Sequence, residues 1–190
     1  NFDLYHAHIY LIDDEGKNLE LTAGAGEAGR LMKEEGWSIP ADSETSLVAR
    51  AFRTGAGVIE NDVQAAPDFL PNPHLPDTRA EMAVPMLVGK RVLGVLDVQS
   101  EQVGRFTPQD VNIQTTLASQ IAAALDNARL FAETERTQHV LNERLKEVNC
   151  LYGVAALTEQ EDISIAELAK GTVELLPPAW QYSEIACARV

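Results

Sequence analysis

At 190 residues, with 45% hydrophobic and 23% charged content, the chain has room for one good core and part of a second unit. Its net charge of −14 opposes binding to nucleic acid or to an anionic membrane surface, since both need a positive patch. No apolar run approaches a membrane span and no signal peptide opens the chain. Cys150 and Cys187 sit in no CxxC or Cys/His cluster, so neither a disulfide framework nor a zinc site is implied, and a reducing, cytoplasmic setting is expected.

The chain opens on Asn1-Phe2-Asp3, already strand-like, as a fragment of a larger protein would. Leu4 to Ile12 is rich in aromatic and β-branched residues and reads as a strand. Asp13-Asp14-Glu15-Gly16 is a turn signal, and Leu19 to Ala23 completes a hairpin. Gly24-Ala25-Gly26-Glu27-Ala28-Gly29 matches a GxGxxG string but precedes no convincing helix of a βαβ unit, so it reads as a flexible loop, and Arg30 to Gly36 is polar and ambiguous, with a helical turn as one reading. Trp37 to Pro40 is a short extended piece. Asp42-Ser43 caps a helix from Glu44 to Arg53, stopped by Gly55. Gly57 to Glu60 is a strand. Val63 to Arg79, with four prolines, is long for a connection in a compact domain, and such loops are functional or disordered. Glu81 to Val88, the turn Gly89-Lys90 and Arg91 to Gln99 give the strongest hairpin signal, with Pro85 marking a bulge or an unpaired N–H.

Between Pro108 and Gly153 there is neither glycine nor proline. Thr107 suits an N-cap, Pro108 the first helical position and Asp110 the positive end of the dipole. Val111, Leu117, Ile121, Leu125, Ala128 and Phe131 recur at helical spacing and are expected to pack on the sheet. After a polar stretch from Glu133 to Gln138 the pattern resumes at Leu141, Leu145, Val148, Tyr152 and Ala155, in alternating four- and three-residue steps that suit a coiled-coil seam between two chains. One helix of that length spans on the order of 60–70 Å, more than a compact domain needs. Ile163 to Leu176 reads as a further helix ended by Pro177-Pro178, and Ser183 to Val190 as a strand. Ile185 to Val190 can be laid on Leu4 to Ile9 with apolar residues coinciding at 4/185, 7/188 and 9/190, which suggests a second copy of the opening unit.

Ala83-Val84-Pro85-Met86, Gly94-Val95-Leu96-Asp97-Val98, Phe106-Thr107-Pro108-Gln109-Asp110 and the helix containing Leu117 to Leu125 resemble the last hairpin and exit helix of a GAF domain. The resemblance implies an α+β fold, a GAF/PAS-like antiparallel sheet of five to six strands flanked by helices, with a long C-terminal signalling helix. It implies a GAF domain over 1–132, an inter-domain signalling helix over 133–157, and over 158–190 the truncated start of a second GAF-like unit, as in bacterial sensor histidine kinases. A complete GAF domain also has a helix before its first strand. That helix is upstream of Asn1 or absent, so a partner chain's helix or Ile163–Leu176 is expected to cover the exposed flank of the exit helix.

In GAF domains the ligand sits between the sheet and the region of the proline-rich loop, so Asp62, Asp68, Phe69, His74, Arg79 and Met82 are the candidate pocket residues. Arg79 can pair an anion, and Phe69 and Met82 can supply an apolar wall. His6 and His8 lie two apart on one strand and face one side. A metal site needs more ligands than these two, so they read as partly exposed strand histidines. Bilin-binding and methionine-sulfoxide-reducing GAF domains use pocket cysteines, and residues 1–149 contain none. The spaced Asn-Lys-Phe-Asp-Glu signature of cyclic-nucleotide-binding GAF domains is absent. The reading is therefore a non-catalytic sensory module without an evident cofactor or metal. It binds an unidentified small molecule or partner and signals through a parallel homodimer of the long helix (Leu141, Leu145, Val148, Tyr152, Ala155) to an output domain such as a histidine kinase. The other reading is a ligand-free dimerisation and spacer module, and the state of the pocket discriminates the two.

Overall fold

The computed structural model describes residues 5–66, 69 and 71–179. Strands β1 (His6–Ile12) and β2 (Asn18–Gly24) form the first hairpin, followed by α1 (Gly26–Glu34), β3 (Ser38–Pro40), α2 (Leu47–Thr54) and β4 (Val58–Glu60). Strands β5 (Ala80–Val88) and β6 (Arg91–Ser100) form the second hairpin. Helices α3 (Pro108–Thr158) and α4 (Ile165–Leu175) follow, with a short 3-10 turn at Pro177–Ala179. The six strands make one antiparallel sheet in the order β3-β2-β1-β6-β5-β4. The two hairpins thus meet at the centre, where β1 pairs with β6.

Alternation along the strands divides the core between the two faces of the sheet. On one face Tyr10, Leu19, Leu21, Ala83 and Val95 pack under Met32 of α1 and Leu47, Val48 and Ala51 of α2. On the other, Met82, Val84, Met86, Leu96 and Val98 pack under Ala118 and Ala122 of α3. Each fully buried side chain of this size contributes about 1.5–3 kcal/mol relative to exposure.

The first turn of α1 lies against the end of β2. A Cβ on Gly24 would stand 2.7 Å from the Cα of Gly29, so both positions must lack a side chain for helix and strand to meet. The segment predicted as a flexible loop is instead a packed strand–helix junction. Helix α2 begins later than predicted: Ser46, not Asp42-Ser43, caps it by accepting a hydrogen bond from Ala49 N at 3.2 Å. Ser43 is held instead in a turn on Pro40, where its carbonyl accepts from Arg53. The predicted stop is observed, with Gly55 left-handed at φ 63°. The irregularity predicted at Pro85 falls one residue on, between Met86 and Leu87.

The chain divides into two compact units between Asn127 and Ala128. In the first, α3 meets the sheet through Gln114, Ala118 and Ala122, a row at four-residue spacing. Small residues in one row let a helix approach closely. This corrects the expectation for Leu117 and Phe131, which are 44% and 65% exposed, and for Ala128, also exposed. In the second unit, Gly153 on α3 faces Leu175 of α4 and Gly171 on α4 faces Leu157. A capping box between Ser164 and Glu167 starts α4. None of the described residues from 128 to 179 is buried. No helix among the described residues is long and apolar enough to cross a membrane. The strand predicted from Ser183, and the internal echo it belongs to, lie outside the described residues.

Candidate functional site

Strand register places polar side chains in rows on the α1/α2 face of the sheet. His6, Gln99 and Glu81 stand opposite one another across β1, β6 and β5; His8, Asp97 and Ala83 form the next row, and Tyr10, Val95 and Pro85 the third. His6, His8, Glu81, Asp97 and Gln99 are all buried, Asp97 completely. Burying that many polar groups is costly unless they pair with one another.

Much of the pairing is present. His8 Nδ1 lies 3.2 Å from Asp97 Oδ2, which also accepts from Gln99 Nε2 at 2.9 Å. Gln99 Oε1 accepts in turn from the Thr78 hydroxyl at 2.6 Å, and that hydroxyl lies 3.0 Å from the Leu75 carbonyl. A continuous hydrogen-bond chain thus runs from the proline-rich segment across β6 to β1. The pairing is incomplete at two buried ring nitrogens, His6 Nε2 and His8 Nε2, which have no partner.

Electrostatics follow from the burial. Loss of solvent, then the Asp97 carboxylate, raises the Glu81 carboxyl well above the usual range, with Arg50 partly opposing. Glu81 therefore holds its proton where an exposed glutamate would not. Burial, then the neighbouring His8, lowers His6 and keeps it neutral, against smaller opposing effects from Asp97 and a hydrogen bond to the Tyr5 backbone. Burial, then Asp97 and Glu81, raises the Tyr10 phenol above its usual range.

Glu81 also lines a small cavity of about 50 Å³, walled by Tyr10, Trp37, Ile39, Val48, Phe69, Pro71 and Asn72. A second cavity, about 140 Å³, is lined by Glu44, Arg50, Glu60 and Ala66. Both share Thr45, Ser46, Leu47 and Phe69, so they are neighbouring spaces on the same face.

The profile of the GAF domain family matches residues 1–126. The chain belongs to the GAF domain family. It is similar to the GAF domain of a phosphoenolpyruvate-protein phosphotransferase from Coxiella burnetii, at 18% identity and a TM-score of 0.60 over 68% of this chain and 76% of that one. It is also similar to the free methionine-R-sulfoxide reductase of Neisseria meningitidis, whose structure holds its substrate, at 25% identity and a TM-score of 0.56 over 67% of this chain and 70% of that one. A third similar structure is the GAF region of a membrane protein from Geobacter sulfurreducens, at 23% identity and a TM-score of 0.53 over 65% of this chain and 82% of that one. No curated protein matches. GAF domains are in general regulatory and sensory modules, although the fold also supports a reductase.

Within this GAF domain the predicted pocket residues separate. Phe69 lines both cavities, whereas Asp62, His74, Arg79 and Met82 line neither. Met82 faces the other side of the sheet, with Ala118 and Ala122, because an even position on β5 cannot share a face with Glu81. His74 pairs with Glu35 at 2.8 Å and meets Trp37 edge-on. Arg79 and Asp62 each keep a buried polar atom without a partner, Nε and Oδ1, away from these cavities. Asp68 lies outside the described residues. The expectation that His6 and His8 are partly exposed is overturned: both are buried, and Asp97 stands directly opposite His8. Glu81, Asp97, Gln99, Thr78 and Tyr10 were missed as site residues. The signal that could have found Glu81 and Asp97 is a lone carboxylate inside each of two otherwise apolar strands.

Proposed function

We propose that this chain is a non-catalytic sensory module whose GAF domain binds a small molecule on the α1/α2 face of the sheet. The observation that carries this reading is the buried, protonated Glu81 carboxyl that lines a cavity on this face and hydrogen-bonds to Asp97 behind it. A spacer gains nothing from placing a buried carboxyl at a cavity wall, whereas a binding site does. The chain has no cysteine before Cys150, so thiol chemistry like that of a sulfoxide reductase has no candidate residue on this face. Native mass spectrometry of protein purified from its own host tests the reading: a retained small molecule supports it, and an empty protein favours the spacer.

The output side of the proposal is a parallel homodimer along α3, passing the signal to a further domain such as a histidine kinase in a cytoplasmic setting. Leu141, Leu145, Val148 and Tyr152 are exposed on the single chain, as a seam awaiting its partner requires, and so is Ala155. Counting back from Leu141 in alternating threes and fours reaches Phe131, Ala124, Leu117 and Ile113 without a break. All four are exposed as well. Gln120, Asn127, Thr134 and Gln138 fall in the same register and form its polar layers. A coupling free energy of about 1–3 kcal/mol between the cavity and this helix is enough for a switch.

A further inference from the structure

We infer that the smaller cavity on this face takes the neutral end of a ligand, a primary carboxamide or a hydroxyl, held between Tyr10 and Glu81. The inference rests on the sensory reading above and names the chemistry of its ligand.

Most polar side chains on the wall of this cavity are already engaged. Asn72 Nδ2 donates to Met32 Sδ at 3.4 Å, and Asn72 Oδ1 accepts from His74 N at 2.9 Å. Ser46 Oγ accepts from Ala49 N, and Thr45 Oγ1 lies 3.4 Å from Ser43 Oγ. Tyr10 and Glu81 differ. Tyr10 is buried, and its hydroxyl makes no hydrogen bond with a described residue. Buried tyrosine hydroxyls usually have a partner. Glu81 is also buried and hydrogen-bonds to Asp97. Two carboxyls joined by a hydrogen bond share one proton. Asp97 Oδ2 already accepts from Gln99 Nε2 at 2.9 Å and faces His8 Nδ1 at 3.2 Å. Asp97 is therefore the acceptor of the pair and Glu81 the donor. The second Glu81 oxygen is left as an acceptor, and it is one in either charge state. The wall thus offers one free donor, the Tyr10 O–H, and one free acceptor, on Glu81.

A ligand group that meets both must accept and donate. A primary carboxamide does so through its C=O and N–H, and a hydroxyl through its single oxygen. A carboxylate or phosphate has no donor for Glu81, and an ammonium has no acceptor for Tyr10. An ether or a tertiary amide can only accept. Size agrees. A space of about 50 Å³ holds on the order of four water-sized groups, which suits a carboxamide or a hydroxymethyl but not an aromatic ring. Trp37, Ile39, Val48 and Phe69 close its sides with apolar surface, where a charge is costly. Charged side chains line the neighbouring cavity of about 140 Å³ instead, namely Arg50, Glu44 and Glu60. Any charge on the ligand therefore belongs at its other end, in that outer space.

The test uses the whole 190-residue chain. Asparagine, glutamine, serine, homoserine and shorter amides and alcohols are screened by ligand-observed NMR. Each is run beside its carboxylate and its methylated counterpart, and binders are measured by calorimetry. At least one primary amide or alcohol should bind about tenfold or more tightly than both counterparts. Tyr10→Phe and Glu81→Met should each weaken that binding about tenfold. Glu81→Gln should bind within about twofold of wild type, because its amide can donate to Asp97 and still present a C=O to the cavity. If Glu81→Met does not fold, Tyr10→Phe and Glu81→Gln still decide. The inference is overturned if no amide or alcohol binds, if the counterparts bind equally well, or if Tyr10→Phe binds as wild type. It is overturned too if Glu81→Gln loses about tenfold, which would show that a charge is recognised. Should host-purified protein retain a molecule with neither a primary amide nor a hydroxyl, the sensory reading stands and this inference falls. Should it retain nothing and no compound bind, both fall.

Discussion

At the scale of single residues, Glu81 is where burial and ionisation conflict. Its folded-state proton affinity is raised, chiefly by loss of solvent. Stability linked to the protonated form is therefore fully present below the ordinary value of 4.5 and is lost as pH rises through the raised value. Glu81→Gln should flatten this decline, leaving the variant with a higher Tm than wild type at alkaline pH and nearly the same Tm in acid. Thermal melting across that pH range checks it, and parallel curves would show that Glu81 is not the group responsible. Thr78→Val breaks the hydrogen-bond chain in its middle and strands Gln99 Oε1, at a cost of about 1–3 kcal/mol in denaturant unfolding. Sequence alone shows that Asp97 is a lone carboxylate in an apolar strand. It does not show that His8 stands beside it, because the two are 89 positions apart and meet only through the β1–β6 pairing.

At the scale of elements, hairpins and helices were legible because their signals are local. The hairpin at Gly89-Lys90, the Gly55 stop and the start of α3 at Pro108 all follow from residues within one turn. Helix α1 was legible only as a helical turn over Arg30 to Gly36, and its glycine-rich start was not. Its glycines read as looseness in sequence but serve close approach in space, a property that depends on what lies opposite. Gly29→Ala should therefore destabilise the fold by about 1–3 kcal/mol, although alanine is the better helix former, because the added methyl meets the Gly24 backbone. Denaturant midpoints measure the sign, and stabilisation would show that the junction can relax. The second half of α3 carries a different expectation. Leu145→Asp with Val148→Asp should shift sedimentation of the chain from dimer to monomer; an unchanged dimer would place the seam elsewhere.

For the whole molecule, the contrast between the two units is one of burial. The first has a core on each face of its sheet, while no described residue from 128 to 179 is buried. Most helical stability in proteins comes from packing, so the second unit gains its order from association if the seam forms. Amide exchange should then be slow in β1, β5 and β6 at any protein concentration. In α3 beyond Asn127 it should slow markedly as concentration rises, and protection independent of concentration would argue against assembly. The family and its α+β fold could be read from the hairpin and exit-helix motifs, whereas of the candidate pocket residues Phe69 lines both cavities and Met82 joins the opposite face. Choosing pocket residues by their nearness to a loop ignores which face of the sheet each one joins.

That division into faces has a consequence for change over time. On β5 and β6, odd positions such as Glu81, Ala83, Asp97 and Gln99 look toward the cavities, and even positions such as Met82, Val84, Leu96 and Val98 look toward α3. Mutation can rewrite one set while leaving the other intact. On the proposed sensory reading, a lineage can thus exchange what it recognises and still keep the face that packs on α3, and a protein engineer can edit one face through alternate letters of two short strands.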